Sequence, residues 1–461
     1  MIRVPYISIP AALAGELLVT YATNRATPAR HFRCKPQTLP IVTDLLVDRH
    51  PLDLSDDHPL WRIPGVAIYE LPKMRIPAVD VAIIDLSIGG PSLWASDVAD
   101  TLIEAGRSVI FISQFCKVAA INGEALPPFP WASRTAFSHL TRCMVRLAHA
   151  RQLLLIGREM GARMLDLMDR TPTTILETGF AESCLPGPEV PKEILELALK
   201  EVLLREDSFP WDNVSHAILA SEAIRRARCN VTWSHVVAGL IQEKYPLSRV
   251  VCQSPSIRSE RFPYTEITTS DPLRVAFGGG AHTLGPRGRE FLAADDVVKA
   301  VSMCKGAELT LLTSDPHRLR SHFSGISRVT IRPRLERQEM PAFMRGHQVY
   351  FRLQNDHSLP LSCVEAMSMG RVVILNERAR DACDWLRHMD NCILVPFGNA
   401  EFLVSVFGIL RSDKDLVRRI GSHARSAIEK HCSLSSAIEE LGLLSQAEDQ
   451  LRESEPTKGK S

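Results

Sequence analysis

The sequence carries almost no excess of charge of either sign. Among its 461 residues, 54 lysines and arginines stand against 53 aspartates and glutamates, which gives a formal net charge of +1 with neutral histidines. Aromatic residues make up only 6% of the chain, and no signature of a nucleic-acid-binding fold occurs. Because proteins that bind nucleic acid present a basic surface, this composition argues against a nucleic-acid partner. A small ligand, or one with a local charge, fits the composition better.

Motifs for metal binding and for membrane spanning are also missing. The 11 cysteines are scattered without a C-x-x-C pair, which argues against a structural zinc site and a disulfide framework and favours a reducing cytoplasm. No H-E-x-x-H motif occurs, and the D-x-D triplet at 413–415 lies in a turn between two helical segments, where aspartate is typical of a helix cap. The early apolar stretch ISIPAALAGELLVTYA is interrupted by Glu16 and lacks a cleavage-like ending, so it predicts neither a signal peptide nor a membrane span. We therefore expect a cytoplasmic protein without a metal, and leave open the inner face of the membrane as its place of action.

Short apolar strands alternate with helical segments over most of the chain. From about residue 273 the candidate strands are RVAFGG, AELTLLTS, RVTIRP, QVYFRL, RVVILNE and NCILVP, and the first half repeats the pattern less regularly with VDVAIIDLS, RSVIFISQ, RQLLLIGR and PTTILET. Such alternation predicts an α/β fold with parallel sheets that are covered on both faces. A chain of this length exceeds a single core and fits two domains of roughly 200 residues each.

The polar stretch TTSDPL at 268–273 marks the expected domain boundary. The apolar periodicity also ends before the polar tail EDQLRESEPTKGKS, a composition that is typical of disorder. We therefore predict five parts: an acceptor-side α/β domain at 1–268, a linker at 269–273, a second α/β domain at 274–430, a returning helix at 431–446 and a disordered tail at 447–461.

Three stretches of the second half resemble, in their order, the nucleotide-sugar-binding domain of GT-B glycosyltransferases of the retaining, family-4-like kind. They are VAFGGGAHTLGPRG, MPAFMRGHQVYFRLQNDHSLPLSCVEAMSMGRVVILNE and NCILVPFGNAEFLVSVFGILRSDKDLVRRIGSHARSAIEKHCSL, within a match that covers about residues 273–445. The resemblance implies two Rossmann-like parallel-sheet domains that face each other across a cleft. It also implies a transferase that moves a sugar from a nucleoside diphosphate to an acceptor with retention, using no metal and no cofactor besides the donor.

The segment LQNDHSLPL leaves a candidate strand and enters a helix, with Ser358 placed to cap that helix and Pro360 in its first turn. The amino end of this helix suits a diphosphate. The resemblance further implies that Glu365 accepts hydrogen bonds from the ribose and that Arg287 neutralises the leaving diphosphate. The alternatives stay open: Glu365 pairs with a nearby arginine such as Arg371, and Arg287 is a solvated turn residue. The full set of nucleotide-sugar candidates is Gly279, Gly280, His282, Arg287, Arg334, His357, Leu359 and Glu365, of which Arg287, Glu365 and His357 are the catalytic candidates.

The chain departs from the family pattern at three places. His357 stands where the family has a second glutamate, His282 where it has an arginine, and Gln114 where it often has a histidine. These departures keep a second hypothesis open, namely a catalytically silent GT-B protein that binds a nucleotide-sugar or a partner glycosyltransferase. A dehydrogenase comes third, because Thr283 breaks the dinucleotide fingerprint G-x-G-x-x-G.

The family places acceptor recognition in the first domain. Loops that follow its candidate strands supply the acceptor-side candidates Asp85, Gly89, Gly90 and Gln114, although simple connecting loops explain these residues equally well. Arg142 and Arg146 lie one helical turn apart and suit anionic lipid headgroups, pairing with acids across the expected cleft, or a solvated face. The expected acceptor is a glycan, a lipid-linked molecule or a small molecule, and peripheral membrane association stays open.

Overall fold

The structure is a computed structural model that describes residues 2–7, 66–71, 77–86, 90–126, 141–142, 144–177, 214–269, 271–278, 294–354 and 357–443. The chain divides into two compact units. The first unit comprises Met1–Thr232, Val237–Val251 and Ile438–Ser461, and the second comprises Trp233–Val236 and Cys252–Ala437. The domain limits expected from the sequence stay predictions.

Up to residue 252 the described elements alternate between strands and helices. In chain order they are β1 (Ile2–Ile7), β2 (Val66–Leu71), β3 (Val81–Asp85), α1 (Gly90–Glu104), β4 (Val109–Ser113), β5 (Val118–Ile121), β6 (Glu124–Ala125), β7 (Gln152–Ile156), α2 (Arg158–Arg163), α3 (Leu165–Met168), β8 (Thr173–Glu177), α4 (Val214–Arg226), β9 (Cys229–Thr232), α5 (His235–Lys244) and β10 (Val250–Cys252). Strands β1 and β2 form a separate antiparallel pair. The other eight form one sheet in the order β10-β9-β8-β7-β3-β4-β5-β6.

Strands β9, β8, β7, β3 and β4 are mutually parallel. Every residue of these five strands is buried, as expected for a parallel sheet with helices on both faces. Strands β5 and β6 extend the sheet as an antiparallel hairpin. Its turn is Asn122-Gly123, with φ of 50° and 83°, and Asn-Gly is the dipeptide that favours such a turn.

After residue 252 the alternation becomes regular. The elements are β11 (Leu273–Gly278), α6 (Ala294–Met303), β12 (Ala307–Thr313), α7 (Pro316–His322), β13 (Val329–Pro333), α8 (Met340–Arg345), β14 (Val349–Arg352), α9 (Leu361–Ser368), β15 (Val372–Asn376), β16 (Ile393–Val395), α10 (Ala400–Ser412), α11 (Lys414–His431) and α12 (Leu434–Glu440), with short 3₁₀ turns at Ser259–Arg261, Arg337–Glu339 and Glu377–Asp381. The six strands form a second sheet in the order β13-β12-β11-β14-β15-β16. All of its pairings are parallel, so two parallel-sheet regions are present and the predicted fold class is confirmed.

Apolar side chains of the strands and of the covering helices form the core around the second sheet. Alternate residues of β11, such as Val275 and Phe277, share one core with Val297 of α6 and Phe407 of α10. Side chains cap several helices. Asp413 accepts a hydrogen bond from the backbone N–H of Leu416 at 2.8 Å, which confirms the helix cap expected for the D-x-D triplet.

Helix α9 begins later than the sequence suggested. Its N-cap is Pro360, with φ of −62° and ψ of 139°, so Pro360 precedes the first turn and has no side chain that could accept a capping hydrogen bond. The prediction that Ser358 is the N-cap of this helix is therefore wrong, because Pro360, two residues further on, occupies that position. Among the described helices, none is both long and apolar enough to cross a membrane.

Candidate functional site

The second sheet changes its winding direction between β11 and β14. The chain adds β12 and β13 on one side of β11 and then returns to place β14, β15 and β16 on the other side. In an open parallel sheet, ligands bind beyond the carboxyl ends of the strands at this switch point. Phe277 of β11 lies opposite Phe351 of β14 in parallel register, so the loop that follows Gly278 and the loop that leads to α9 leave the same edge of the sheet.

A cationic side chain lies at the switch point. Arg352, the last residue of β14, is half-buried, and it donates from Nη1 to the carbonyl of Gly278 and from Nε to Oε1 of Gln354 at 3.0 Å. A Cβ atom at Gly278 would overlap the hydroxyl of Tyr350, so any other residue there would force Tyr350 to move. Burial raises the pKa of Tyr350 well above its ordinary value, and its hydroxyl therefore stays protonated.

Glu365 is the acid that the sequence singled out in helix α9. The residue is 4% exposed, and its Oε1 accepts hydrogen bonds from Nε of Arg337 at 3.2 Å and from Nη2 of Arg337 at 3.1 Å. Arg337 comes from the 3₁₀ turn that follows β13, and its Cζ lies 5.6 Å from the ring centroid of Phe262. The carboxylate is thus buried and held by a cation.

The arginine partner of Glu365 differs from the alternative that the sequence suggested. Arg371 is 2% exposed, and its guanidinium donates hydrogen bonds to the backbone carbonyls of Met369, His347 and Thr265. Burial lowers the pKa of Arg371 to about 10. The Arg371 side chain therefore connects the end of α9 to the segments of His347 and Thr265. It is not the arginine that pairs with Glu365.

The other described candidates lie near the same edge. His357 is paired with Asp381, with 2.7 Å between Nδ1 and Oδ2, and both side chains are partly exposed. The side chain of Leu359 is buried, so that this residue would meet a ligand through its backbone. Arg334 is exposed just after β13, and its N–H donates to the carbonyl of Thr313, the last residue of β12, at 2.7 Å.

Five of the sequence candidates lie outside the described residues, namely Gly89, Gly279, Gly280, His282 and Arg287. The structure therefore tests neither the glycine loop nor the proposed diphosphate arginine.

In the first unit, Asp85 lies at the carboxyl end of β3 and is fully buried. Its Oδ2 accepts a hydrogen bond from Oγ of Ser113 at 2.6 Å, and its carbonyl accepts from the N–H of Gln114 at 3.1 Å. Gly90 is the first residue of α1. Arg142 is 3% exposed, which contradicts headgroup binding and a solvated face for this residue, because both need an exposed side chain. Its pairing with an acid stays a prediction.

The sequence analysis did not single out three buried or half-buried charged residues: Arg337, Arg352 and Glu177. Arg337 and Glu365 are 28 positions apart, and only the fold pairs them. Arg352 carried a signal, since it is the one charged residue in the strand VYFR. Glu177 carried a similar signal: it ends the strand TTILE, is 4% exposed and lies opposite Thr232 of β9. Within the described ranges, no group of three His, Cys, Asp or Glu side chains could hold a metal ion.

Comparisons with known proteins agree with this architecture at the level of fold. No family model and no curated protein matches the chain. A sucrose-phosphate synthase from Thermosynechococcus elongatus is similar to it in structure, with a TM-score of 0.60 and 12% identity over 82% of this chain and 100% of the other. HepE from Anabaena, in complex with UDP and glucose, gives a TM-score of 0.57 with 12% identity over 79% of this chain and 98% of the other. A glycosyltransferase from Rickettsia africae gives 0.55 with 13% identity over 79% and 98% of the two chains. The chain therefore has the GT-B glycosyltransferase fold.

Proposed function

We propose that this chain binds a nucleoside-diphosphate sugar at the switch point of the second sheet and transfers the sugar to an acceptor hydroxyl. The observation that carries the proposal is Glu365, a buried carboxylate on the helix that starts at this edge of the sheet. The GT-B fold supports it, and so does the complex of HepE with UDP and glucose, which makes UDP-glucose the first donor to test.

Each part of the donor has a partner in this proposal. The carboxylate of Glu365 accepts hydrogen bonds from the ribose hydroxyls, and the free N–H groups at the start of α9 face the diphosphate. Arg352 adds a permanent positive charge at the end of β14, where it contacts the carbonyl of Gly278. Arg287 and His282 would act on the same phosphates from that loop, and Arg334 would lie near the base.

The transfer that we propose proceeds with retention and without a metal. The bond between the anomeric carbon and the leaving phosphate oxygen breaks, and the acceptor oxygen forms its bond on the same face of the sugar. The acceptor proton passes to the departing phosphate, whose charge the arginines stabilise. His357, oriented by Asp381, would bind a hydroxyl of the transferred sugar. Acceptor recognition would involve Asp85, Gly90 and Gln114 at the first sheet.

The identity of the acceptor stays within the classes expected from the sequence: a glycan, a lipid-linked molecule or a small molecule. A cytoplasmic location, with attachment at the inner face of the membrane when the acceptor is lipid-linked, is part of this proposal. A nucleic-acid acceptor is not, because the charge balance of the chain supplies no basic surface excess.

One observation favours a second candidate, a catalytically silent GT-B protein that binds a nucleotide-sugar or a partner glycosyltransferase. His357 replaces an acid of the family pattern, and its Nδ1 is already engaged with Asp381. A histidine supplies no permanent negative charge to a developing positive charge on the sugar. Binding could therefore survive where turnover does not.

The two candidates separate in one experiment on the purified full chain. UDP-, GDP- and ADP-sugars are offered one at a time, binding is measured by calorimetry, and release of the nucleoside diphosphate is followed over time. Binding with turnover supports the transferase, and the anomeric configuration of the product, read by NMR, tests retention. Binding without turnover in any acceptor mixture supports the silent protein that binds a nucleotide-sugar. A chain that binds none of the nucleotides overturns that form and the transferase alike, and leaves only a silent protein that binds a partner glycosyltransferase.

A further inference from the structure

We propose that Arg337 is a positioning residue of the nucleotide site, which holds the carboxylate of Glu365 charged and oriented for the ribose hydroxyls. This inference rests on the proposed function, because it assigns a task to Glu365 that only a ribose-bearing ligand needs. Neither the motif pattern nor the sequence spacing points to Arg337, which lies 28 positions before its partner.

The geometry of the pair fixes the carboxylate. Two different nitrogens of Arg337, Nε and Nη2, donate to the same oxygen Oε1 of Glu365, at 3.2 and 3.1 Å. Two donors on one rigid guanidinium restrict the rotation of the carboxylate more than a single ammonium can. The side chains are 18% and 5% exposed, so water screens the pair only weakly.

Burial explains why Glu365 needs such a partner. A carboxylate removed from water without a cation takes up a proton more readily, and a protonated carboxyl has less capacity to accept hydrogen bonds. Arginine is charged around neutral pH, so its contact favours the charged, accepting form of Glu365 there. A carboxylate offers about four lone-pair sites, so one carboxylate can accept hydrogen bonds from a guanidinium and from hydroxyl groups at the same time.

Arg337 is itself held in place by a third segment. Its guanidinium lies over the ring of Phe262, which is 1% exposed, at 5.6 Å from the ring centroid. The carbonyl of Phe262 accepts a hydrogen bond from Oγ of Ser368 at 3.0 Å, and Ser368 is the last residue of α9. The segment around Phe262 therefore supports both Arg337 and the helix that carries Glu365.

The test compares Arg337→Gln, Arg337→Lys and a matched control, Arg345→Gln. Arg345 is exposed on α8 and contacts only the carbonyl of Pro341 among the described hydrogen bonds, at 3.3 Å. Each variant is titrated with uridine, guanosine and adenosine, and separately with inorganic pyrophosphate, between about pH 8 and about pH 6. Circular dichroism and melting curves establish that the variants are folded.

We expect Arg337→Gln to bind the preferred nucleoside about tenfold more weakly near neutral pH, with the loss growing as the pH falls because the buried carboxyl then takes up a proton. Arg337→Lys should restore part of the affinity and remove most of the added pH dependence. Arg345→Gln should match the wild type, and pyrophosphate binding should be the same in all four proteins.

Two results would overturn the inference alone: wild-type nucleoside binding that Arg337→Gln leaves unchanged across the pH range, or a parallel loss of nucleoside and pyrophosphate, which would mean general damage to the site. A wild-type chain that binds no nucleoside and no nucleotide would instead overturn the proposed function, and this inference with it.

Discussion

At the scale of single residues, Glu365 is unusual for its surroundings. Helix α9 has eight residues, and all of them except Ser362 are buried. Replacing a buried ion pair by well-packed apolar residues is often neutral or stabilising, so stability alone does not account for an acid at this position. A ligand that needs a charged acceptor at the switch point does account for it.

Replacement of Glu365 by Gln keeps the size of the side chain and removes its charge. We expect the variant to bind nucleoside and nucleoside diphosphate more weakly by the same amount, about 1.5–3 kcal/mol, because the ribose is common to both ligands. Titration calorimetry measures the two losses. The control is Glu308→Gln, an exposed acid near the amino end of β12, which should bind like the wild type. A loss confined to the diphosphate would contradict the assignment of Glu365 to the ribose.

The pair of His357 and Asp381 gives a second expectation at this scale. Asp381→Asn removes the carboxylate that orients the imidazole, so we expect kcat for sugar transfer to fall about tenfold while the KM for the donor changes little. Asp384→Asn, an exposed acid three positions further on, serves as the control. Steady-state kinetics with a donor that the wild type uses measure both constants. A kcat of Asp381→Asn equal to that of the wild type would contradict a role for the pair.

At the scale of elements, the local pattern of apolar residues predicted strands, whereas contacts between residues far apart in the sequence could not be predicted. The apolar runs QVYFRL and RVVILNE correspond to β14 and β15, because strands buried on both faces need continuous apolar residues. The sequence analysis did not predict the hairpin of β5 and β6, although the dipeptide Asn122-Gly123 is typical of a hairpin turn. The start of α9 was misplaced by assigning the cap to Ser358. The pairing of Arg337 with Glu365 was out of reach, since it depends on how β13 and β14 are arranged in the sheet.

Close packing of α11 supplies a test at the same scale. A Cβ atom at Gly421 would overlap the carbonyl of Gly370 and lie 2.8 Å from Cδ1 of Ile267, whereas a Cβ atom at Gly408 in α10 would meet nothing within 4 Å. We expect Gly421→Ala to lower the free energy of unfolding by about 1–3 kcal/mol through overpacking. Gly408→Ala should raise it by about 0.5–1 kcal/mol, because alanine is the better helix former. Urea unfolding measures both changes, and a Gly421→Ala protein as stable as the wild type would contradict the described packing.

At the scale of the whole molecule, stability should depend on pH through His347, which is half-buried. Burial lowers the pKa of His347, against the opposing effect of its hydrogen bond to the carbonyl of Phe343 at 2.9 Å. The unfolded chain then binds the proton at a higher pH than the folded chain. The contribution of His347 to stability is therefore complete above about pH 6.5 and is lost as the pH falls below it.

His347→Gln removes this titration. We expect the free energy of unfolding of the variant to fall less steeply than that of the wild type between about pH 6.5 and about pH 5. Urea unfolding at a series of pH values gives both slopes. Equal slopes in the two proteins would show that His347 is not held neutral by the fold.

The proposed function requires a nucleotide-sugar to bind at the carboxyl edge of the second sheet, beside Glu365. Hydrogen exchange followed by mass spectrometry tests it most directly, because ligand binding slows exchange where the backbone is covered or stabilised. With UDP, GDP or ADP at a concentration that saturates the wild type, we expect slower exchange at the end of β11, in the turn at Arg337–Glu339 and across 357–368, and weaker protection of the same segments in Glu365→Gln. Protection confined to the first unit, or none with any of the three nucleotides, would contradict the account.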